Sequence, residues 1–284
     1  MEIKELNLEN ISDYRGNIPE DIAENIGRIY YRGLIMEDAG TFLAGMIWEI
    51  KNAAFNRDAG KTAHITWLSF ALEEACPDLF KAFDEMIAEE GIVKTTFTLP
   101  AKTSKTEKAM LKSLGFSVSL MEGDSITAKL SEISSLNFVG KIKPTEEIMP
   151  LSAITQRGFN SALKRMVSKG HFGLCEDIES LPRGHFENDI SCYCEQDGIV
   201  CGLFLCHLTA SGKLLVEMMA YNGNDSSKYI VQMICKAVEA ASEKYSPETE
   251  VIINRHNYAS LALGERLLPR GFGIPVYVGE RKER

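Results

Sequence analysis

Apolar and polar positions follow their clearest pattern near the end of the chain, where they predict a strand, a helix, a second strand and a second helix. The apolar run Leu214–Tyr221 indicates a buried strand, and the polar residues 222–227 indicate a turn. Val251–Ile253 is typical of a short buried strand, and Tyr258–Leu268 of a helix. Apolar residues at helical spacing between the two strands predict one buried helix face: Tyr229, Ile230, Met233, Ile234, Ala237, Val238 and Ala241. This order is typical of a right-handed crossover between parallel strands.

The same order of elements occurs in the first half of the chain. A hairpin is predicted around the turn 37–40, and it matches a second hairpin around the turn 195–198. The dipeptide Gly115-Phe116 corresponds to Gly271-Phe272, and the strand Thr95–Thr98 lies at the same offset from Val251–Asn254. A repeat of this length indicates two copies of a domain. We therefore predict domains at residues 1–132 and 138–284, joined by a short polar stretch.

Other elements of the first copy follow from local patterns. Residues Ile3–Asn10 are interpreted as a strand and Glu20–Tyr31 as a helix. An amphipathic helix is predicted around residues 79–87, and another at Ser104–Leu114. A hairpin formed by residues 118–120 and 126–130 is expected to close this copy.

The second copy differs from the first at both of its ends. It begins with a long leader, Glu146–Asp189, which contains a predicted helix and a loop. It ends with a single predicted strand, Ile274–Val278, before a charged tail. One strand is therefore missing, and we expect either the linker strand Phe138–Ile142 or a strand of the first copy to take its place.

The end of the chain carries a family resemblance. Asn257, a helix and then Arg270-Gly271-Phe272 resemble the Asn, helix, Gly-Phe ending of the GNAT (Gcn5-related) N-acetyltransferases. The resemblance implies an α/β fold of the α+β type, with two GNAT-like domains, each a mixed, mostly antiparallel sheet flanked by helices. It also implies that the fourth and fifth strands of a domain separate to admit acyl-pantetheine. The family's turn glycines are replaced by Tyr229 and Val231, so the acetyl-CoA signature is degenerate.

Catalytic residues are predicted on the fourth strand of the second copy. Glu217 is the one charged residue between Leu214 and Gly223, and an amine acceptor needs a base because a protonated amine has no lone pair. The resemblance implies this role, while an exposed strand residue or a salt-bridge partner is the alternative. Tyr221 is a candidate proton donor to the thiolate, with a packing role as its alternative, and the same holds for Tyr258.

Cofactor contacts are predicted along the same strand and at the turn after it. The resemblance places the acyl-pantetheine against the backbone of Met218, Met219 and Ala220, and the pyrophosphate at the turn, where a helix N-terminus favours anions. Hydroxyl groups and a cation there suit phosphate, with ordinary helix capping as the alternative. Asn257 is expected to bond pantetheine or to cap the last helix. The predicted phosphate contacts are Gly223, Ser226, Ser227 and Lys228.

Cysteines cluster on the second hairpin but lack the spacing of a metal site. Tetrahedral zinc sites use paired Cys-x-x-Cys segments, which Cys192, Cys194, Cys201 and Cys206 with His207 do not provide. We interpret these cysteines as small buried apolar residues. The other histidines show no ligand spacing, so no metal is predicted.

Composition narrows the classes of partner. The 284 residues carry a net charge of −9, which argues against nucleic acid or an anionic membrane as the main partner. No apolar run approaches the about 20 residues of a membrane span, and the first residues lack a signal-peptide core. The odd number of cysteines, 7, is typical of a reducing cytoplasm.

These observations predict an acyl-CoA-dependent N-acyltransferase that uses acetyl-CoA and works from the C-terminal copy. The acceptor is expected to be a small amine or an amino-acid-like molecule, and a homodimer is compatible with the sequence. The alternative is a non-catalytic protein that binds a CoA ester or another metabolite through two degenerate domains.

Overall fold

The computed structural model describes residues 1–52, 60–171, 177–254 and 273–283. The chain divides into two compact units, which we call unit 1 (Met1–Gly123 with Ile274–Arg284) and unit 2 (Asp124–Gly273). Among the described residues, no helix is long and apolar enough to span a membrane.

The strands, in chain order, are β1 (Glu2–Glu5), β2 (Tyr31–Asp38), β3 (Thr41–Asn52), β4 (Lys61–Phe70), β5 (Ile92–Pro100), β6 (Ser119–Lys129), β7 (Ile148–Pro150), β8 (Cys192–Gln196), β9 (Ile199–Leu208), β10 (Leu214–Tyr221), β11 (Glu250–Asn254) and β12 (Gly273–Lys282). The α-helices are α1 (Glu20–Ala23), α2 (Cys76–Glu89), α3 (Lys105–Ser113), α4 (Leu130–Ser134), α5 (Gln156–Ser168) and α6 (Ser226–Lys244). Short 3-10 helices lie between several of them.

Each unit has a mixed sheet with a single parallel pair among its described strands. Unit 1 has the order β1-β2-β3-β4-β5-β12, and β4 and β5 form its parallel pair. Unit 2 has the order β6-β11-β10-β9-β8-β7, and β10 and β11 form its parallel pair. The sheet class predicted from the sequence is confirmed: both sheets are mostly antiparallel and are flanked by helices.

The core of unit 1 forms where one face of α2 meets the sheet. Leu79, Phe80 and Phe83 recur at helical spacing and are fully buried. The Phe83 ring packs edge-on against Trp48 of β3, with 5.0 Å between ring centroids. Aromatic pairs in this geometry add to the free energy gained from burial alone, so they fix the position of the helix on the sheet.

The sheet of unit 2 is covered on both faces. Phe204 and Cys206 of β9 pack into a cluster with α6, whereas Leu203 and Leu205 pack into another with α5. Successive side chains of a strand point to opposite faces, so the near-continuous apolar sequence of β9 is what a strand buried on both faces requires. The unit 2 sheet therefore lies between α6 on one face and α5 on the other.

The helix predicted at Glu20–Tyr31 is shorter than expected. α1 ends at Ala23, and Tyr31 already belongs to β2, where it pairs with Glu49. Gly27 has φ +98°, a conformation that an α-helix cannot contain. The apolar residues that suggested a longer helix instead contribute to a small cluster under the turn, as Ile26 does.

The predicted closing hairpin of the first copy is wrong. Residues 119–129 form one continuous strand, β6, rather than two strands joined by a turn. Gly123 lies within β6 and permits close approach of β12: a Cβ atom there would lie 2.9 Å from the Ile274 carbonyl oxygen. Glycine in a strand often marks such an approach of another backbone.

The missing strand of the second copy comes from the first copy. The end of β6 pairs antiparallel with β11, from Ser125 opposite Asn254 to Lys129 opposite Glu250. Residues 138–142 form turns rather than the linker strand considered above. The last strand, β12, pairs with β5 in unit 1. The compact units therefore differ from the predicted bounds 1–132 and 138–284, because each sheet includes a strand from the other copy.

Candidate functional site

The registered pairing of the parallel strands β10 and β11 covers only the first part of β10. The pairs run from Leu214 opposite Val251 to Val216 opposite Ile253. β10 continues to Tyr221 against β9, and in the described part of the chain it has no further registered pair with β11, which ends at Asn254. From Met218 onward, the edge of β10 on the β11 side therefore has no registered partner among the described residues.

A β-bulge lies directly after Val216, the last β10 residue that is registered with β11. Val216 pairs with Cys206 and Met218 pairs with Leu205, so Glu217 is the extra residue of β10. Bulges redirect a side chain and are frequent beside active sites. The bulge orients Glu217 into a buried position, with 2% of the residue exposed.

Two histidines flank the Glu217 carboxylate. Its Oε1 atom lies 3.0 Å from Nδ1 of His207 and 3.9 Å from Nε2 of His185. The two imidazole rings are 4.7 Å apart between centroids. A carboxylate out of water is costly unless a positive or proton-donating group is near, and the imidazoles supply that partner.

The leader of unit 2 brings His185 to this position. A backbone bond from Glu187 to the Cys206 carbonyl ties the leader to β9, and the Glu187 carboxylate accepts bonds from Lys244 Nζ (2.6 Å) and the Tyr245 hydroxyl (2.8 Å). Burial raises the pKa of Glu187, but Lys244 and Tyr245 outweigh it and the net pKa is lowered. His185 lies two residues before this anchor, and 28% of its side chain remains exposed.

This arrangement suits the transfer and storage of a proton. Glu217 is shielded, His207 is 6% exposed, and His185 is the member of the trio with the largest exposed area. The Nε2 atom of His185 is itself buried toward the trio, so the exposed part of the ring lies elsewhere on it. A proton taken up at the exposed edge can therefore be stabilised by a carboxylate beneath it.

The same three side chains form a donor set that binds divalent cations in other proteins. Their ligand atoms all lie within 4.8 Å of one another. Tetrahedral zinc, with bonds of about 2.0–2.1 Å, needs ligand atoms about 3.3 Å apart, so His185 would have to move inward to complete a site. Direct proton exchange between His185 and Glu217 likewise needs their 3.9 Å separation to shorten to hydrogen-bond distance.

The predicted phosphate contacts lie at an exposed helix start. Ser226, Ser227 and Lys228 open α6 and are exposed, as is Gly223 in the turn before them. Asp225 takes the left-handed conformation, with φ 59°, and its side chain makes no capping hydrogen bond. The helix start therefore combines hydroxyl groups and a cation with the positive end of a helix dipole.

The other predicted residues divide between two faces of β10. Met218 and Ala220 pack on the α5 side, whereas Met219 and Tyr221 pack on the α6 side. The Tyr221 ring stacks on Tyr229 at 4.9 Å, and its hydroxyl donates to Gln196. Burial raises the pKa of Tyr221, so the hydroxyl holds its proton strongly. The structure does not bring Tyr221 to Glu217, and Asn257 and Tyr258 lie outside the described residues.

The described cysteines are free. Cys194 and Cys201 contact each other across the hairpin, with 3.6 Å between their sulfur atoms, although Cys194 is registered opposite Gly202. Burial raises the pKa of Cys206 to about 12, and thiols of this kind behave as small apolar groups.

Sequence patterns identified Glu217 but not the two histidines around it. His207 is two places beyond the β9 residue that pairs with Met218, so a correct strand register could have identified it. His185 comes from a loop with no periodic signal, and its position depends on how the leader folds.

Comparisons with other proteins show similarity of structure. No family model matches the chain, and no curated protein matches it in sequence. A tandem GNAT protein from the clavulanic acid biosynthesis pathway aligns over 100% of this chain and 99% of its own, with a TM-score of 0.62 and 10% identity. A probable N-acyltransferase from Enterococcus faecalis V583 aligns over 99% of this chain and 72% of its own, with a TM-score of 0.55 and 10% identity.

A third similar structure is a GCN5-related N-acetyltransferase from Kribbella flavida. It aligns over 83% of this chain and 86% of its own, with a TM-score of 0.53 and 9% identity. The alignment with a tandem protein over essentially both full lengths agrees with the repeated strand order of the two compact units. The fold of this chain is the GNAT fold, present in two copies.

Proposed function

We propose that unit 2 binds an acyl-CoA and transfers its acyl group to the nitrogen of a small amine or amino-acid-like acceptor. The observation that carries the proposal is Glu217, a buried carboxylate on a bulge directly after the last registered pair of β10 with β11. Acyl transfer to an amine needs a base, and a carboxylate at this position of the strand supports that role. Acetyl is the acyl group that the sequence resemblance predicts.

The proposed reaction is direct attack of the free amine on the thioester carbonyl. The nitrogen–carbon bond forms as the carbonyl becomes an oxyanion, which backbone N–H groups on the open edge of β10 stabilise. The carbon–sulfur bond then breaks and CoA leaves as a thiolate, which takes up a proton. The proton lost by the amine passes to His185 and is stabilised by Glu217, because Glu217 itself is too buried to meet the acceptor.

His207 is a positioning residue in this scheme. It contacts the carboxylate from the neighbouring strand and keeps Oε1 directed toward His185. The exposed start of α6 would hold the pyrophosphate through Ser226, Ser227 and Lys228.

A second candidate is a protein that binds an acyl-CoA or another metabolite without turnover. The observation in its favour is the degenerate turn, where Tyr229 is buried at a position that the family fills with glycine. A side chain there keeps the backbone from approaching a pyrophosphate closely.

Two measurements separate the candidates. Thermal shifts with acetyl-CoA and with free CoA report binding, and release of free thiol in the presence of a panel of small amines and amino acids reports transfer. Acyl transfer predicts stabilisation together with amine-dependent thiol release. Stabilisation without thiol release favours the binding protein. No stabilisation by any CoA species would overturn acyl transfer and leave only a protein that binds another metabolite.

A further inference from the structure

A cavity of about 80 Å³ lies in unit 2 between the sheet and α6. Its lining is aliphatic and aromatic, apart from the thioether of Met219 and the thiol of Cys206. That thiol is neutral, since burial raises its pKa to about 12. A water molecule needs about 10–15 Å³ in a cavity and also needs polar partners, so this cavity exceeds the volume for one water several times over and offers little to bond it.

The cavity reaches the point where the registered pairing of β10 and β11 ends. Val216 and Ile253, the last registered pair of the two strands, both line it. Met219, the next β10 residue that packs on the α6 side, lines it too. From there the cavity extends along α6, past Ile234 and Ala237 toward Ala241. Its lining thus begins where the registered pairing of β10 and β11 ends, beside the place at which the acyl thioester is proposed to lie.

We propose that this cavity holds the hydrocarbon tail of the acyl group, so that the preferred donors carry short or medium chains of about four to eight carbons rather than acetyl. The inference rests on the proposed function and specifies its substrate class. The volume allows for about five to eight water-sized groups, which sets the range of chain length. A two-carbon acetyl group would leave most of the cavity empty.

The chemistry of the lining excludes the other molecules of the reaction. An amine acceptor would have to give up its hydration with no polar partner in return, and the pyrophosphate would meet the same penalty at a higher charge. An alkyl chain has no such cost, because it has no polar group to desolvate and its burial against an apolar lining is favourable. Each methylene that leaves water is expected to raise affinity by up to about fourfold.

The test is a series of acyl-CoA thioesters from acetyl to palmitoyl, titrated calorimetrically against the full-length protein. We expect affinity to rise from acetyl to a maximum between butyryl and octanoyl, at least tenfold above acetyl-CoA, and to fall for palmitoyl. Affinity that does not change with chain length, at a level equal to that of free CoA, would overturn this inference and leave the proposed function in place. No binding of any CoA species would overturn the proposed function and the inference with it.

A variant that fills the cavity provides a second test. Ala237 lines the cavity, whereas Ala240 on the same helix packs beside the cluster without lining it. Ala237→Leu should remove the preference for octanoyl-CoA over acetyl-CoA while acetyl-CoA affinity stays within twofold, and Ala240→Leu should leave the preference intact. An unchanged preference in folded Ala237→Leu would contradict the assignment. If that variant does not fold, Ile234→Ala, which enlarges the cavity, should shift the optimum to longer chains, and an unshifted optimum would contradict it.

Discussion

The first strand of the parallel pair in each unit, β4 or β10, has a bulge in its pairing with its antiparallel neighbour, and the residue at the bulge differs between the units. In unit 1, Ile65 pairs with Trp48 and Trp67 pairs with Ile47, so Thr66 is the extra residue of β4. The last registered pair of β4 and β5 is Ile65 opposite Phe97, one residue before the bulge. In unit 2, Val216 forms the last registered pair with β11, and the extra residue Glu217 follows it directly. Thr66 is therefore the structural counterpart of Glu217.

The residues around the two bulges also differ. The position of His207 in unit 2 corresponds to Glu49 in unit 1, because each lies opposite the second strand residue before its bulge. That strand residue is Leu215 in unit 2 and His64 in unit 1. Burial lowers the pKa of His64 to about 3, and the ring contacts the Thr96 hydroxyl, so it is a neutral structural imidazole.

The starts of the two following helices differ in charge and in access. In unit 1, Glu73, Glu74 and Asp78 surround the start of α2. In addition, Glu107 of α3 is buried: burial raises its pKa, and the Phe70 backbone N–H favours its charged form. Unit 1 thus places acidic groups at the end of β4, where unit 2 has exposed hydroxyl groups and Lys228. The backbone feature is shared, but the polar groups suited to binding an acyl-CoA and removing a proton are in unit 2.

The largest effect is expected from neutralising the residue at the unit 2 bulge. Glu217→Gln keeps the shape of the side chain and removes its basicity, so turnover at neutral pH should fall by about 10²–10⁴-fold. Acyl-CoA affinity should change little. The loss should shrink at high pH, where the acceptor amine is already deprotonated. Steady-state rates over a range of pH, together with calorimetric titration, measure both quantities.

The matched control for this prediction is Thr66→Val, which changes the counterpart residue in unit 1. It should leave turnover within about twofold of the unsubstituted protein, because Thr66 cannot act as a base at neutral pH. Unchanged turnover in Glu217→Gln, or a large loss in Thr66→Val, would assign the chemistry to the wrong bulge.

A smaller effect is expected at the helix starts. Lys228→Glu places a negative charge beside the proposed pyrophosphate site and should weaken acyl-CoA binding by about 1–3 kcal/mol. Changing both Glu73 and Glu74 to Gln should leave affinity nearly unchanged, because the acidic turn of unit 1 is not expected to hold the cofactor. Calorimetric titration of both variants decides between the units, and the reverse pattern of effects would move the site to unit 1.

The stabilising contribution of Glu187, which anchors the unit 2 leader, should decrease in acid. The pKa of Glu187 is lowered in the folded protein, so its stabilising contribution is present above the ordinary pKa of a glutamate and is lost as the pH falls through the folded value. Glu187→Gln should therefore lower the free energy of unfolding by about 1 kcal/mol at pH 7 and by less below pH 4. Urea titrations at both pH values measure this difference.

Glu239→Gln is the control for the acid response, since Glu239 is exposed on α6. Its free energy of unfolding should follow that of the unsubstituted protein at both pH values. A Glu187 variant whose destabilisation grows in acid would show that the carboxylate does not anchor the leader through its charge.

The smallest effect is expected from removing metal ions. If His185, His207 and Glu217 handle protons, a chelator should leave turnover unchanged, and metal analysis should find well under one zinc per chain. The cysteines on the β8–β9 hairpin should also be metal-free. A stoichiometric metal that disappears in His185→Ala would reassign the trio as a metal site, whereas one lost in Cys194→Ala would place it on the hairpin.

The local features of the chain could be predicted because their causes lie within a few residues. The continuous apolar run of β9 and the helical spacing of α6 reflect which positions are buried. The turn at Asp197 and Gly198 follows from the need for two left-handed residues, which the sequence supplies. Glu217 was identified because it is a single charge in an apolar strand.

The composition of each sheet and of the candidate site depended on contacts between distant residues. Gly123 carries the same local signal whether it forms a turn or admits the Ile274 carbonyl, and only the position of β12 decides between them. His185, His207 and Glu217 share no spacing along the chain, and they meet because a leader, a strand and a bulge converge. The sequence by itself determined two copies of an alternating strand and helix pattern, since periodic burial is a local property. Tertiary structure decided the strand exchange and the histidines around Glu217, since neither follows from the neighbours of a residue in the chain.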